Sequence, residues 1–133
     1  MEINRCPGTL AAGFTTYSRT CSKRVFNGSK VNHILPYASL QSNHNSEDSF
    51  EENASRMSIS GVQEKFSIIQ LKNKIRLTKE GDQGSHILKP IPSGSKNADQ
   101  MPANEHLTMQ IAQQVYGIET AENALIFFVK IIN

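Results

Sequence analysis

The stretch FSIIQLKNKIRLT, residues 66–78, decides the fold class. Phe66 to Leu71 are rich in β-formers, Asn73 stands at a turn, and Ile75 to Thr78 alternate apolar and polar. Two such runs around a short polar break read as a β-hairpin. Working toward the C-terminus, KEGDQGS (79–85) is a loop and HILK (86–89) a short third strand. Pro90 stops it, because proline donates no ladder hydrogen bond. Residues 91–102 are polar, hold two prolines and read as a surface loop. Asn104 is placed to cap a helix. From there Leu107, Ile111 and Val115 recur every four residues, with Ala112 beside them. The spacing predicts a helix over 104–116 that buries this stripe against Ile68, Leu88 and Ile126. Glu105, Met109, Ala112 and Tyr116 form a stripe on the adjacent face, and Gly117 supplies the stop. Residues 122–130 return as an apolar strand. Strand, strand, strand, helix, strand is an α+β order: a twisted antiparallel sheet with one packed helix.

Toward the N-terminus the pattern weakens. Residues 41–55 (QSNHNSEDSFEENAS) carry Glu47, Asp48, Glu51 and Glu52 with no Lys or Arg, and read as a polar acidic linker. Residues 1–40 carry Arg5, Arg19, Lys23, Arg24 and Lys30 against Glu2 alone, and read as an irregular basic segment. That sign change marks a boundary, with residues 56–133 as the folded unit. The whole chain of 133 residues, 38% hydrophobic, suits one compact domain or one lobe of something larger. A net charge of +2 is too weak a bias to argue nucleic-acid binding, and the basic segment lacks interleaved aromatics. No run approaches the ~20 apolar residues that span a bilayer; ALIFFVKII (124–132) is broken by Lys130. The N-terminus has no basic segment followed by an apolar run, and with two cysteines the expectation is reduced thiols in a cytoplasm.

The segment RMSISGVQEK (56–65) precedes the first strong strand. Ser58, Ser60 and Gly61 are small enough for backbone N–H groups to approach phosphate oxygens, though such a run is often only a turn. Lys89 on a third strand, followed sixteen residues later by Glu105 on a helix, is the order in which protein kinases pair a phosphate-holding lysine with a glutamate. The plainer alternative is a strand-end lysine in water and a glutamate that complements the helix dipole.

Three blocks, RMSISGVQEK (56–65), GSHILKPIP (84–92) and MPANEHLTMQIAQQVYGIE (101–119), resemble successive blocks of the HipA family in order and spacing. The likeness spans roughly residues 56–128. HipA-like proteins are bacterial serine/threonine kinases of toxin–antitoxin systems, with aminoacyl-tRNA synthetases among their targets. The resemblance implies a kinase-like N-lobe that binds ATP with magnesium. Ser60, Gly61, Val62, Gln63, Glu64 and Lys65 would form the phosphate loop, Lys89 would contact the nucleotide, and Glu105 would orient Lys89. Ser58 occupies the autophosphorylated position, and serines at both 58 and 60 resemble the shorter HipT branch. A phosphate placed there would repel those of ATP. An antitoxin or a companion toxin subunit is the implied partner.

The same resemblance locates the catalytic aspartate in a C-lobe that this chain lacks, so the expectation is a truncated N-lobe, inactive alone. A non-catalytic interaction protein, or the inert remnant of a broken gene, is the alternative. Cys6 and Cys21 resemble part of a zinc motif found ahead of the kinase in some relatives, but Thr9 and Ser18 stand at the partner positions. Two thiolates do not close a structural zinc site, and His33, His44, His86 and His106 show no ligand spacing, so no metal is expected.

Overall fold

The structure, a computed structural model, describes residues 2–36, 65–92 and 96–129. The elements run α1 (Arg19–Val25), β1 (Ile34–Leu35), β2 (Phe66–Leu71), β3 (Lys74–Leu77), β4 (His86–Leu88), a 3-10 turn (Ala98–Gln100), α2 (Met101–Gln114) and β5 (Phe127–Phe128). The fold is α+β, with two helices and two small sheets among the described residues. The expected linker, residues 41–55, lies outside them.

The hairpin forms where the alternation puts it. β2 and β3 pair antiparallel from Ile68↔Leu77 to Leu71↔Lys74, closed by the two residues Lys72 and Asn73. Lys72 has φ 58, the positive value that primed hairpin turns require at their first central position. β4 pairs antiparallel with the other edge of β2, which gives the order β3-β2-β4. β4 ends at Leu88, and buried Pro90 follows one residue later, after Lys89.

The sheet is tied to the N-terminal segment by polar bonds. Gln70 N–H donates to Ser85 Oγ at 2.8 Å, and Ser85 Oγ meets His86 Nδ1 at 2.7 Å. His86 Nε2 reaches the Val25 carbonyl at 2.6 Å, which fixes the ring proton on Nε2 and leaves Nδ1 to accept from Ser85. The Gln70 side chain donates to the Phe26 carbonyl at 2.9 Å.

Four expectations are corrected. First, residues 2–36 are not an irregular preamble. Among the described residues, six of the eight in the buried core cluster, Cys6, Tyr17, Cys21, Phe26, Val31 and Leu35, come from them, joined by Ile68 and Ile75. Their apolar positions follow turns and one short helix, so no long period reveals them.

Second, the return of residues 122–130 is not a strand of the antiparallel sheet. Among the described residues of that stretch, 122–129, only Phe127–Phe128 forms a strand, and it pairs parallel with β1 through Ile34↔Phe127 and Leu35↔Phe128. The preceding backbone bonds sideways instead: Leu125 N–H donates to the Pro7 carbonyl and Tyr17 Oη donates to the Leu125 carbonyl.

Third, α2 starts at Met101, not at an Asn104 cap, and the end of the expected 91–102 loop is helical. Pro102 lies in its first turn, where a fixed φ suits the helix and no N–H is missed. Gly117, with φ 65, terminates it, and Ile118 N–H closes back on the Ala112 carbonyl.

Fourth, the helix turns its aliphatic stripe outward. Leu107, Ile111 and Val115 are 47%, 43% and 70% exposed, whereas His106 and Gln110 are buried. The inward face is held by hydrogen bonds. His106 Nδ1 meets Asn123 Oδ1 at 2.6 Å, and the Gln110 amide donates to the same oxygen at 3.1 Å. The Gln114 amide donates to Gln110 Oε1 at 2.7 Å and to the Thr9 carbonyl at 2.8 Å. Polar groups removed from water stay favourable only when so paired. Hydrophobic period does not report that kind of contact.

Candidate functional site

Lys89 leaves the end of β4 just before Pro90, on the side that faces α2. Its ammonium donates to Glu105 Oε1, and the two side chains form an ion pair, each partly open to solvent. Because α2 begins at Met101, Glu105 sits in the second turn and the first turn holds no acidic residue. Dipole complementation fades beyond the first turn. The pairing with Lys89 is therefore the interaction that holds this carboxylate.

A cleft of about 710 Å³ opens beside the pair. That volume lies within the ~300–1,000 Å³ of small-molecule sites. Val25 and Phe26 at the C-terminal end of α1, Ile68 and Leu88 from the sheet, Met109 from α2 and Leu125 line its apolar walls. Lys65, Lys89, Glu105 and Glu122 bring charge to it. The two ammonium groups and the two carboxylates balance in charge, and Lys89 is paired with Glu105.

Of the loop expected to hold phosphates, Lys65 is described; it immediately precedes β2 and lines the cleft. Ser58, Ser60, Gly61, Val62, Gln63 and Glu64 lie outside the described residues. The structure thus brings Lys65, Lys89 and Glu105 to one cleft. It adds walls that motif reading did not name, Val25 and Phe26 from the N-terminal segment and the 121–126 stretch. Their trace in the sequence is the apolar character of Val25, Phe26, Leu125 and Ile126, since nothing local ties residue 26 to residue 125.

The three described histidines, His33, His86 and His106, each make an internal hydrogen bond. His33 is buried with its Nδ1 on Thr16 Oγ1 at 3.2 Å, edge-on to Tyr17 and Phe127. Burial lowers the pKa of His33, and burial likewise lowers that of His106 against an opposing hydrogen bond from Asn123. His44 is outside the described residues. Among those residues no three His, Cys, Asp or Glu side chains gather to hold a metal ion, and no helix is long and apolar enough to cross a membrane.

A family model described as HipA-like C-terminal domain matches residues 57–131, more than half of the chain. No curated protein and no solved structure matches it.

Proposed function

The chain belongs to the HipA-like C-terminal domain family, and on that premise we propose that its cleft is the nucleotide site of a HipA-like serine/threonine kinase N-lobe. In this reading ATP, with magnesium, lies against the apolar walls and turns its phosphates toward Lys89 and Lys65. Glu105 holds the Lys89 ammonium at the cleft mouth, so the cation is positioned before the ligand arrives. Backbone N–H groups of residues 60–65 complete the phosphate contacts, and phosphorylation of Ser58 or Ser60 would repel ATP from them. The toxin–antitoxin setting, an antitoxin or companion subunit as partner, and aminoacyl-tRNA synthetases as substrates belong to the same proposal. Binding, not phosphoryl transfer, is the role assigned to these residues.

The observation that carries the reading is the Lys89–Glu105 ion pair on the rim of the 710 Å³ cleft. Calorimetric titration of ATP with magnesium tests it on the wild type, Lys89→Ala and Ser60→Asp. Both variants should bind more weakly. Equal affinity in all three would dismiss the site and favour the second reading, a non-catalytic interaction protein. That reading draws on the outward aliphatic stripe of α2, Leu107, Ile111 and Val115.

A further inference from the structure

The head of the chain holds a side-chain cluster that the cleft does not use. Cys6 and Cys21 are fully buried free thiols. The turn Cys6-Pro7-Gly8-Thr9 folds back so that the Gly8 and Thr9 N–H groups both point at Cys6 Sγ, each at 3.4 Å. Ser18 N–H adds a third donor at 3.1 Å. The turn from Ser18 to Cys21 repeats the pattern with oxygen for sulfur, since Cys21 N–H donates to Ser18 Oγ at 3.2 Å.

The two turns face each other. Cys6 Sγ and Ser18 Oγ are hydrogen-bonded at 3.3 Å, and Thr9 Oγ1 lies 3.4 Å from Ser18 Oγ. Gly8 packs so closely that a Cβ there would stand 2.1 Å from Cys21 Sγ. Four side-chain heads, at positions 6, 9, 18 and 21, thus converge from two turns of identical spacing. That is the layout of a C-x2-C pair around a tetrahedral metal.

The donor set does not fit one. Zinc binds ligands that give up a proton or offer a neutral imidazole, and Thr and Ser hydroxyls keep theirs near neutral pH. The sulfurs are also unequal. Burial would raise Cys6, but the bonds from Ser18 and Thr9 outweigh it and bring the thiol down to about 6. Cys21 is pushed up to about 12, by burial first and then by its neighbour's charge.

We propose that hydrogen bonding through Thr9 and Ser18 replaces a metal in closing these two turns, leaving a metal-free clasp that Thr9→Cys with Ser18→Cys converts into a tetrahedral thiolate site for zinc-like cations. The clasp also sets one wall of the cleft. Pro7 accepts from Leu125 N–H at 2.9 Å, and Thr9 accepts from the Gln114 amide at 2.8 Å.

Thermal melting with and without a chelator, together with cobalt(II) absorption, tests this on the full chain. The wild type should melt at the same temperature with chelator and show no thiolate-to-cobalt band. The Thr9→Cys/Ser18→Cys variant should take up one equivalent of cobalt(II) with a tetrahedral thiolate spectrum and melt lower once chelated. Thr9→Val should stay insensitive to chelator and melt about 3–6 °C lower, the shift expected when the hydroxyl's bonds to Ser18 Oγ and to the Ala11 N–H are lost. Chelator-sensitive melting of the wild type would overturn the proposal, as would a folded double variant that ignores cobalt(II). Should that variant not fold even with zinc, Thr9→Val decides, and unchanged melting would then overturn it.

Discussion

Lys89 at the end of β4 and Glu105 in the second turn of α2 are joined by an ion pair across the mouth of the cleft. Their side chains are 37% and 39% exposed, so water screens the pair. Exposed pairs of this kind contribute roughly 0.2–1 kcal/mol. Lys89→Ala and Glu105→Gln should therefore barely shift a urea midpoint. If the proposed function holds, the same variants lower ATP affinity, Lys89→Ala by about tenfold or more, the loss expected for a charged hydrogen bond. Denaturation and calorimetry on the same preparations separate the two effects.

Acid should destabilise the fold through its buried histidines. The folded-state pKa values of His33 and His106 lie below the ordinary 6.5, so the unfolded chain binds protons that the folded chain refuses. Stability is then full above that value and falls as pH drops through it. His33 Nε2 has no hydrogen-bond partner among the described residues, so a proton there would be buried without an acceptor. We expect the urea midpoint to decline from pH 7.5 to 5.5 and the decline to flatten in His33→Phe.

Gly8→Ala should be among the costliest single-methyl additions in the protein. The new Cβ would meet Cys21 Sγ at 2.1 Å and Cys21 Cβ at 3.0 Å, and both belong to a fully buried residue. Overpacking of this kind costs roughly 1–3 kcal/mol. Equilibrium unfolding in urea measures it.

The orientation of α2 makes an inverted prediction. Val115→Lys changes an exposed aliphatic and should move stability by less than about 0.5 kcal/mol. Gln110→Ala removes the bonds to Asn123 and Gln114 from a buried position and should cost roughly 1–3 kcal/mol. A helix packed through its aliphatic stripe would give the opposite order.

What the sequence makes legible is what is local. The β2–β3 hairpin depends on alternation and a two-residue turn, and both are visible between residues 66 and 78. Gly117 is legible as a helix stop because a left-handed residue is needed there. The face that α2 buries is not. The partners of Gln110 and Gln114 are Asn123 and the Thr9 carbonyl, and no pattern along the helix announces them. At the candidate site, Lys89 and Glu105 stand out through the order of motif blocks. Val25 and Phe26 do not, because their place on the cleft depends on how a seven-residue helix ends against a distant sheet.

The parallel pairing of Ile34 with Phe127 has a consequence in time. Tyr17 reaches Leu125 across 108 residues of sequence, and Gln114 reaches Thr9 across 105. Loops of that length close late, after the local hairpin, because their entropy must be met before their contacts form. On the ribosome the order is stricter still. The N-terminal part emerges first, yet the Tyr17 hydroxyl and the β1 backbone must wait for residues 125–128 before their hydrogen-bond partners exist. The long-range bonds of residues 17, 34 and 35 are thus completed only after residue 128 has been made.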